Sequence, residues 1–249
     1  MKITSFLFII LFLVFFGITL ARNLKESNEE FSSLDENIKY YKMSKEKIKK
    51  FLFDENIYII DTRDLALSAK GYIPNTILVP LSLISFIYSV VPVGAEIIIL
   101  TELDNKQEVI DSVIELYTYK LLGYSIFSEI NENNYFELQT VEYNPNSNNN
   151  IQEIVDRGEN MIDIREKNEI LKTGYIKQAK LIPLSNFLTD YEEIPKNGNV
   201  FIFCRSGTRA VIAITFLKRE GFTNRLVVMK GGMNRVIEEG YPLIQMDNK

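Results

Sequence analysis

Val200-Phe201-Ile202-Phe203-Cys204-Arg205-Ser206-Gly207-Thr208-Arg209 is the stretch on which the reading of this chain turns. Four large apolar residues in a row fit a strand buried on both faces, as in a parallel sheet. A short polar loop follows, and Ala210 to Leu217 continues as an apolar helix. A loop between a strand end and a helix start turns successive backbone N–H groups inward, and the helix dipole adds positive potential there. Cys204 stands at the strand end, with Arg205 and Arg209 close by in sequence. Each feature favours thiolate over thiol, and thiolate is the nucleophilic form. Ser206 and Gly207 are small enough to let an anion approach the backbone, and Gly207 can adopt a positive φ. A buried structural cysteine is the bland alternative, because free Cys is among the most buried residue types. Two arginines, a glycine and a following helix weigh against it.

Composition narrows the chemistry further. The 249 residues contain no histidine and one cysteine. Ser-His-Asp and Cys-His pairs, HExxH metal sites and imidazole zinc sites are excluded. So are internal disulfides, CxxC redox pairs and cysteine-rich metal clusters. Thiol chemistry, if present, belongs to Cys204 alone. The formal charge is −5, from 28 basic and 33 acidic residues, and gives no basic field for nucleic acid.

Working outward, the soluble part reads as two similar pieces. Residues 44–142 form the first and 151–249 the second, with 143–150 an Asn-rich linker, Asn144-Pro145-Asn146-Ser147-Asn148-Asn149-Asn150 at its heart. The first piece opens with a helix over Lys45 to Leu52, for which Ser44 is an N-cap candidate. It then gives Ile57-Tyr58-Ile59-Ile60-Asp61, Gly71-Tyr72-Ile73-Pro74 and Ile77-Leu78-Val79-Pro80-Leu81-Ser82. The second gives a short helix candidate at Ile151 to Val155. Met161-Ile162-Asp163-Ile164-Arg165, Gly174-Tyr175-Ile176-Lys177 and Leu181-Ile182-Pro183-Leu184-Ser185 follow. Strands are expected at Glu96–Leu100 and Asn199–Phe203, then at Tyr124–Phe127 and Arg225–Met229. So many ordered correspondences argue for internal duplication. Short apolar runs alternating with helices argue for α/β domains with mostly parallel sheets.

Before these pieces, Phe6 to Leu20 is an uncharged apolar run, and residues 1–21 read as a signal peptide or membrane anchor. Residues 22–43 read as a polar linker. The expectation is an exported protein, periplasmic or otherwise outside the cytoplasm, free or anchored through residues 1–21.

The second piece resembles a rhodanese domain, a sulfurtransferase module of the α/β class. The resemblance rests on Asp163-Ile164-Arg165, Gly174-Tyr175-Ile176, Ile182-Pro183-Leu184-Ser185 and the loop Cys204 to Arg209. The tail Gly231-Gly232-Met233 and Gly240-Tyr241-Pro242-Leu243 adds to it. Tyr175, Lys177 and Met233 depart from the family's common His, Pro and Trp. The loop has four residues between Cys204 and Arg209, which resembles the sulfurtransferase length. The related phosphatases and arsenate reductases carry one residue more. The first piece resembles the family more weakly. Thr101-Glu102-Leu103-Asp104-Asn105-Lys106 stands where the loop should be, with no cysteine, glycine or arginine. It therefore reads as an inactive domain paired with an active one. From Ile151 on there are 15 basic and 13 acidic residues, net +2, against −7 in the remainder.

The resemblance implies sulfane-sulfur transfer through a Cys204 persulfide. The donor is a small anion such as thiosulfate, and the acceptor is a thiol or cyanide. Cys204 is the catalytic residue. Arg205, Ser206, Gly207, Thr208 and Arg209 bind substrate, with Arg209 and the loop N–H groups holding the departing anion. No metal or organic cofactor is implied. Asp163 and Arg165 read as strand-end residues that pair or cap near the loop, and Gly231 and Gly232 as a turn. Two rivals stand beside this reading. One is a tethered or exported sulfur carrier or partner-binding module with little turnover; the other is a phosphatase or arsenate reductase.

Overall fold

A computed structural model describes residues 42–102, 116, 118–144 and 151–246. The expected export or anchor segment, nearly all of the polar linker 22–43 and the core of the Asn-rich linker lie outside these residues. So does most of the first-piece counterpart of the Cys204 loop, beyond Glu102. No helix among the described residues is long and apolar enough to cross a membrane.

The first half runs α1 (Lys45–Phe51), β1 (Ile57–Asp61), α2 (Leu65–Ser68), β2 (Ile77–Leu78), a 3-10 segment (Leu81–Ser89), β3 (Glu96–Thr101), β4 (Lys120–Ile126) and α3 (Phe127–Ile130). Ser44 caps α1 by accepting from the Lys47 N–H at 3.4 Å. The sheet order is β2-β1-β3-β4, all parallel. After β5 (Glu142–Tyr143), the second half runs α4 (Ile151–Asp156), β6 (Asn160–Asp163), α5 (Lys167–Thr173), β7 (Lys180–Leu181), a 3-10 turn (Leu184–Asn186) and α6 (Phe187–Asp190). It continues with β8 (Val200–Phe203), α7 (Thr208–Arg219), β9 (Leu226–Val228) and α8 (Gly232–Glu238). Its sheet, again all parallel, has the order β5-β9-β8-β6-β7. Read from β7, this is the first sheet's order with one strand added.

The repeat extends to single contacts. Asp61 and Arg63 form a buried ion pair at 2.6 Å, and the guanidinium also donates to the Gly71 carbonyl at 3.0 Å. Asp163 and Arg165 pair at 2.6 Å, and Arg165 donates to the Gly174 carbonyl at 2.9 Å. Each pair therefore ties a strand end to the Gly-Tyr turn that leads back to the edge strand. Burial raises the Asp163 carboxyl, and the Arg165 guanidinium opposes that rise. The pairing expected of Asp163 and Arg165 is present, and Asp61 and Arg63 repeat it.

One boundary differs from the reading of the sequence. β5 spans the end of the first piece and the start of the linker, yet it pairs with β9 of the second sheet. Asn144 is buried too: its N–H donates to the Val228 carbonyl and its Oδ1 accepts from the Lys230 N–H at 2.7 Å. Two exposed strand residues and an asparagine carry no apolar pattern, so only the pairing reveals them.

The two halves share a core. One buried cluster includes Ile60, Ile77, Val79 and Ile99 of the first half with Ile202, Cys204, Ile212 and Phe216 of the second. Helix α7 lies at its centre and is buried from Arg209 through Leu217. Its buried hydroxyl, on Thr215, donates to carbonyls of its own helix and accepts the Leu78 N–H of β2 at 3.0 Å. Thr215→Val keeps the shape but leaves that buried N–H without a partner. It is expected to lower unfolding free energy by about 1–3 kcal/mol in urea titration, while Thr215→Ser keeps most of it.

Candidate active site

The expected site residues run from the β8–α7 connection into the first turn of α7, and the tertiary structure sorts them into distinct environments. Cys204 directly follows β8 and has no exposed surface. The Gly207 N–H donates to its Sγ at 3.2 Å, so the loop does aim a backbone donor at the sulfur. Gly207 makes that turn at φ +98° and is the N-cap of α7. A Cβ there would also crowd the Met229 carbonyl at 3.3 Å. Arg205 and Ser206 are exposed, and Thr208 is half-buried. The Ser206 and Thr208 hydroxyls lie 3.2 Å apart.

Arg209 is bound by a carboxylate of the second half. Both its terminal nitrogens donate to Glu169, each at 2.7 Å. Burial disfavours its charge, but Glu169 and the neighbouring Cys204 outweigh that and hold the guanidinium protonated. Glu169 is itself fixed by α5. The Glu166 N–H donates to its Oε2 at 3.1 Å in a reciprocal capping box. The Arg209 hydrogen bonds hold the Glu169 carboxyl below its usual range, against the opposing effect of burial. From the first half, Phe86 sits with its ring centroid 5.6 Å from the guanidinium carbon of Arg209.

The Gly231-Gly232 turn seats the loop from the other side. The Met233 N–H donates to the Cys204 carbonyl at 2.9 Å, and the Asn234 N–H to the Arg205 carbonyl at 3.0 Å. A Cβ on Gly232 would lie 2.3 Å from the Cys204 carbonyl oxygen. The turn expected of these glycines is present, and it serves to let α8 approach the cysteine loop.

Glu169, Phe86 and Gly232 were not singled out as site residues from the sequence. Glu169 left a trace, the Glu-x-x-Glu spacing of a capping box at the start of α5. Phe86 left none, because only the packing of the two halves brings it to Arg209.

Residues 147–239 match the family model described as a rhodanese-like domain. The sulfurtransferase of Allochromatium vinosum is 33% identical over 84 residues, covering 34% of this chain and 77% of that protein. The chain belongs to the rhodanese-like family. A rhodanese domain-containing protein of Drosophila melanogaster is 34% identical over 87 residues, covering 30% of this chain and 78% of that protein. Among solved structures, a rhodanese-related protein from Thermoplasma volcanium is 26% identical, with a TM-score of 0.33, covering 38% of this chain and 94% of that one. The matched rhodanese-like segment contains the whole Cys204 loop together with Glu169 and Gly232.

Two measurements check this geometry. Gly232→Ala, at φ +54° and with a backbone oxygen in the way, is expected to displace the loop. The displacement should appear as a changed rate of Cys204 alkylation by iodoacetamide, with unfolding free energy lower by about 1–3 kcal/mol. Glu169→Gln is expected to destabilise the fold at neutral pH. A depressed carboxyl contributes stability above its unfolded value of 4.5, and that contribution is lost as pH falls through the folded value. The difference between wild type and Glu169→Gln in urea titration should therefore shrink on acidification below pH 4.5.

Proposed function

We propose that this protein is a sulfurtransferase that carries sulfane sulfur on Cys204. The observation that carries the reading is the Gly207 N–H pointing at Sγ inside a six-residue loop from Cys204 to Arg209, within a chain of the rhodanese-like family. The relative from Allochromatium vinosum bears the name sulfurtransferase, which supports the same chemistry.

The reaction has two halves. The Cys204 thiolate attacks the outer sulfur of a donor such as thiosulfate. A bond forms between Sγ and that sulfur, the donor's S–S bond breaks, and sulfite leaves with the electron pair. Cys204 is then a persulfide. A thiolate or cyanide attacks the terminal sulfur, takes it, and returns Cys204 as thiolate. Charge balances in both halves, and no redox partner is needed. The Gly207 N–H donates a hydrogen bond to the reacting sulfur. Arg209 lies beside it as a fixed charge. Arg205, exposed at the loop surface, meets the anionic part of the donor.

The first half is proposed as an inactive rhodanese-like domain in tandem with the active one. Its repeat of the sheet order and of the Asp-x-Arg tie supports that assignment, and Thr101 and Glu102 stand where a nucleophile loop would begin. The apolar segment Phe6–Leu20 supports export, with or without anchoring. A sulfur carrier with little turnover is the second reading. It is favoured by the complete burial of Cys204, which restricts how quickly bulky acceptors reach the sulfur.

Intact-mass measurement after anaerobic incubation with thiosulfate tests the proposal. Wild type should gain about 32 Da, one sulfur, and Cys204→Ser should gain nothing. Cyanide or a thiol should remove the added mass. Steady turnover would mark an enzyme, and single loading would mark a carrier. No gain from thiosulfate or from a persulfide donor sinks both.

A further inference from the structure

The geometry points to Phe86, a residue of the half without the cysteine, as a positioning residue that acts on Cys204 through Arg209. The inference rests on the sulfur-transfer reading for its role in turnover, but its physical content is independent of any donor.

Arg209 is held on several sides by groups that are not substrate. Glu169 takes both terminal nitrogens, each at 2.7 Å. The Phe86 ring lies within the range at which a ring's negative face attracts a cation. Arg209 is 9% exposed and Phe86 half-buried, so the contact is partly screened by water. Glu169 alone fixes the guanidinium through the two hydrogen bonds of its own edge. A planar group held along one edge can still swing as a unit with its partner. A ring set against it from a separate element limits that swing.

Phe86 is well placed to be such a stop. It belongs to the 3-10 segment Leu81–Ser89, which follows β2 directly and packs against the 3-10 turn Leu184–Asn186 of the second half. That turn is in turn bound to α5: the Ser185 N–H and hydroxyl donate to the Glu166 carboxylate at 3.1 and 2.8 Å. The segment carrying Phe86 and the helix carrying Glu169 are thus braced against each other, with Arg209 between their side chains. Phe86 also packs on the same buried cluster that contains Cys204. The first half, which carries no nucleophile of its own at this place, would then complete the site of the second.

A double-mutant cycle tests this, because a residue that works through Arg209 loses its effect when Arg209 is gone. The variants are Phe86→Leu, Phe86→Tyr, Arg209→Gln and Phe86→Leu with Arg209→Gln. Phe86→Leu keeps apolar bulk but removes the ring, and Phe86→Tyr keeps the ring. The readouts are sulfur loading of Cys204 from thiosulfate by intact mass and alkylation of Cys204 by iodoacetamide at fixed pH. Phe86→Leu is expected to slow both by about three- to fivefold, the size of a partly screened cation–ring contact. The donor concentration giving half-maximal loading should stay unchanged, Phe86→Tyr should restore the rate, and Phe86→Leu should add nothing in the Arg209→Gln background. Equal slowing in both backgrounds, or rates for Phe86→Leu as high as for Phe86→Tyr, overturns the inference and leaves Phe86 a packing residue. If wild type takes up no sulfur, the sulfur-transfer reading fails by itself, and the alkylation arm of the same cycle still decides the role of Phe86.

Discussion

A helix with apolar residues on every side has to be covered on every side. Helix α7 is such a helix: every residue from Arg209 to Leu217 is buried, and no single sheet face can achieve that. Its own sheet covers it through β8 and β9, and β2 of the first half covers it from elsewhere. Thr215 marks the seam, since its hydroxyl satisfies a backbone N–H at the edge of the other sheet. The two halves are therefore joined by the burial of the helix that follows the cysteine loop. Separation would expose that helix and leave a buried donor of β2 without its partner.

The same constraint explains the state of the site. The loop leads into the buried span of α7, and Cys204 at its start has no exposed surface. Charged groups carried inside with it have to be paired. Arg209 is paired with Glu169, whose position is set by the reciprocal cap of α5. Asp163 and Arg165 solve the same problem one strand away, and Asp61 and Arg63 solve it again in the first half. Only Arg205, Ser206 and part of Thr208 face outward. The loop thus presents a polar rim over a buried, charge-balanced interior.

A transferred sulfur atom is small and travels as part of an anion or a persulfide. The site offers a backbone donor at the sulfur and a paired, fixed guanidinium close by. Glycine at 207 and 232 serves closeness: one turns the backbone onto Sγ, and the other lets α8 reach the loop carbonyls.

Much of this was legible in the residues alone. Apolar runs ending in Asp61 and Asp163, the Gly-Tyr-Ile turns and the Cys204 loop fixed the α/β class, the internal repeat and the candidate nucleophile, because local pattern and backbone chemistry determine strands, turns and helix starts. The capping-box spacing that ends in Glu169 was there as well, without its partner. The tertiary structure alone decided where β5 pairs, that Asn144 is buried, that Arg209 belongs to Glu169, and that Phe86 arrives from the other half. These depend on contacts between residues 40 to 123 positions apart, and a sequence carries no periodic signal for a pairing made across that distance.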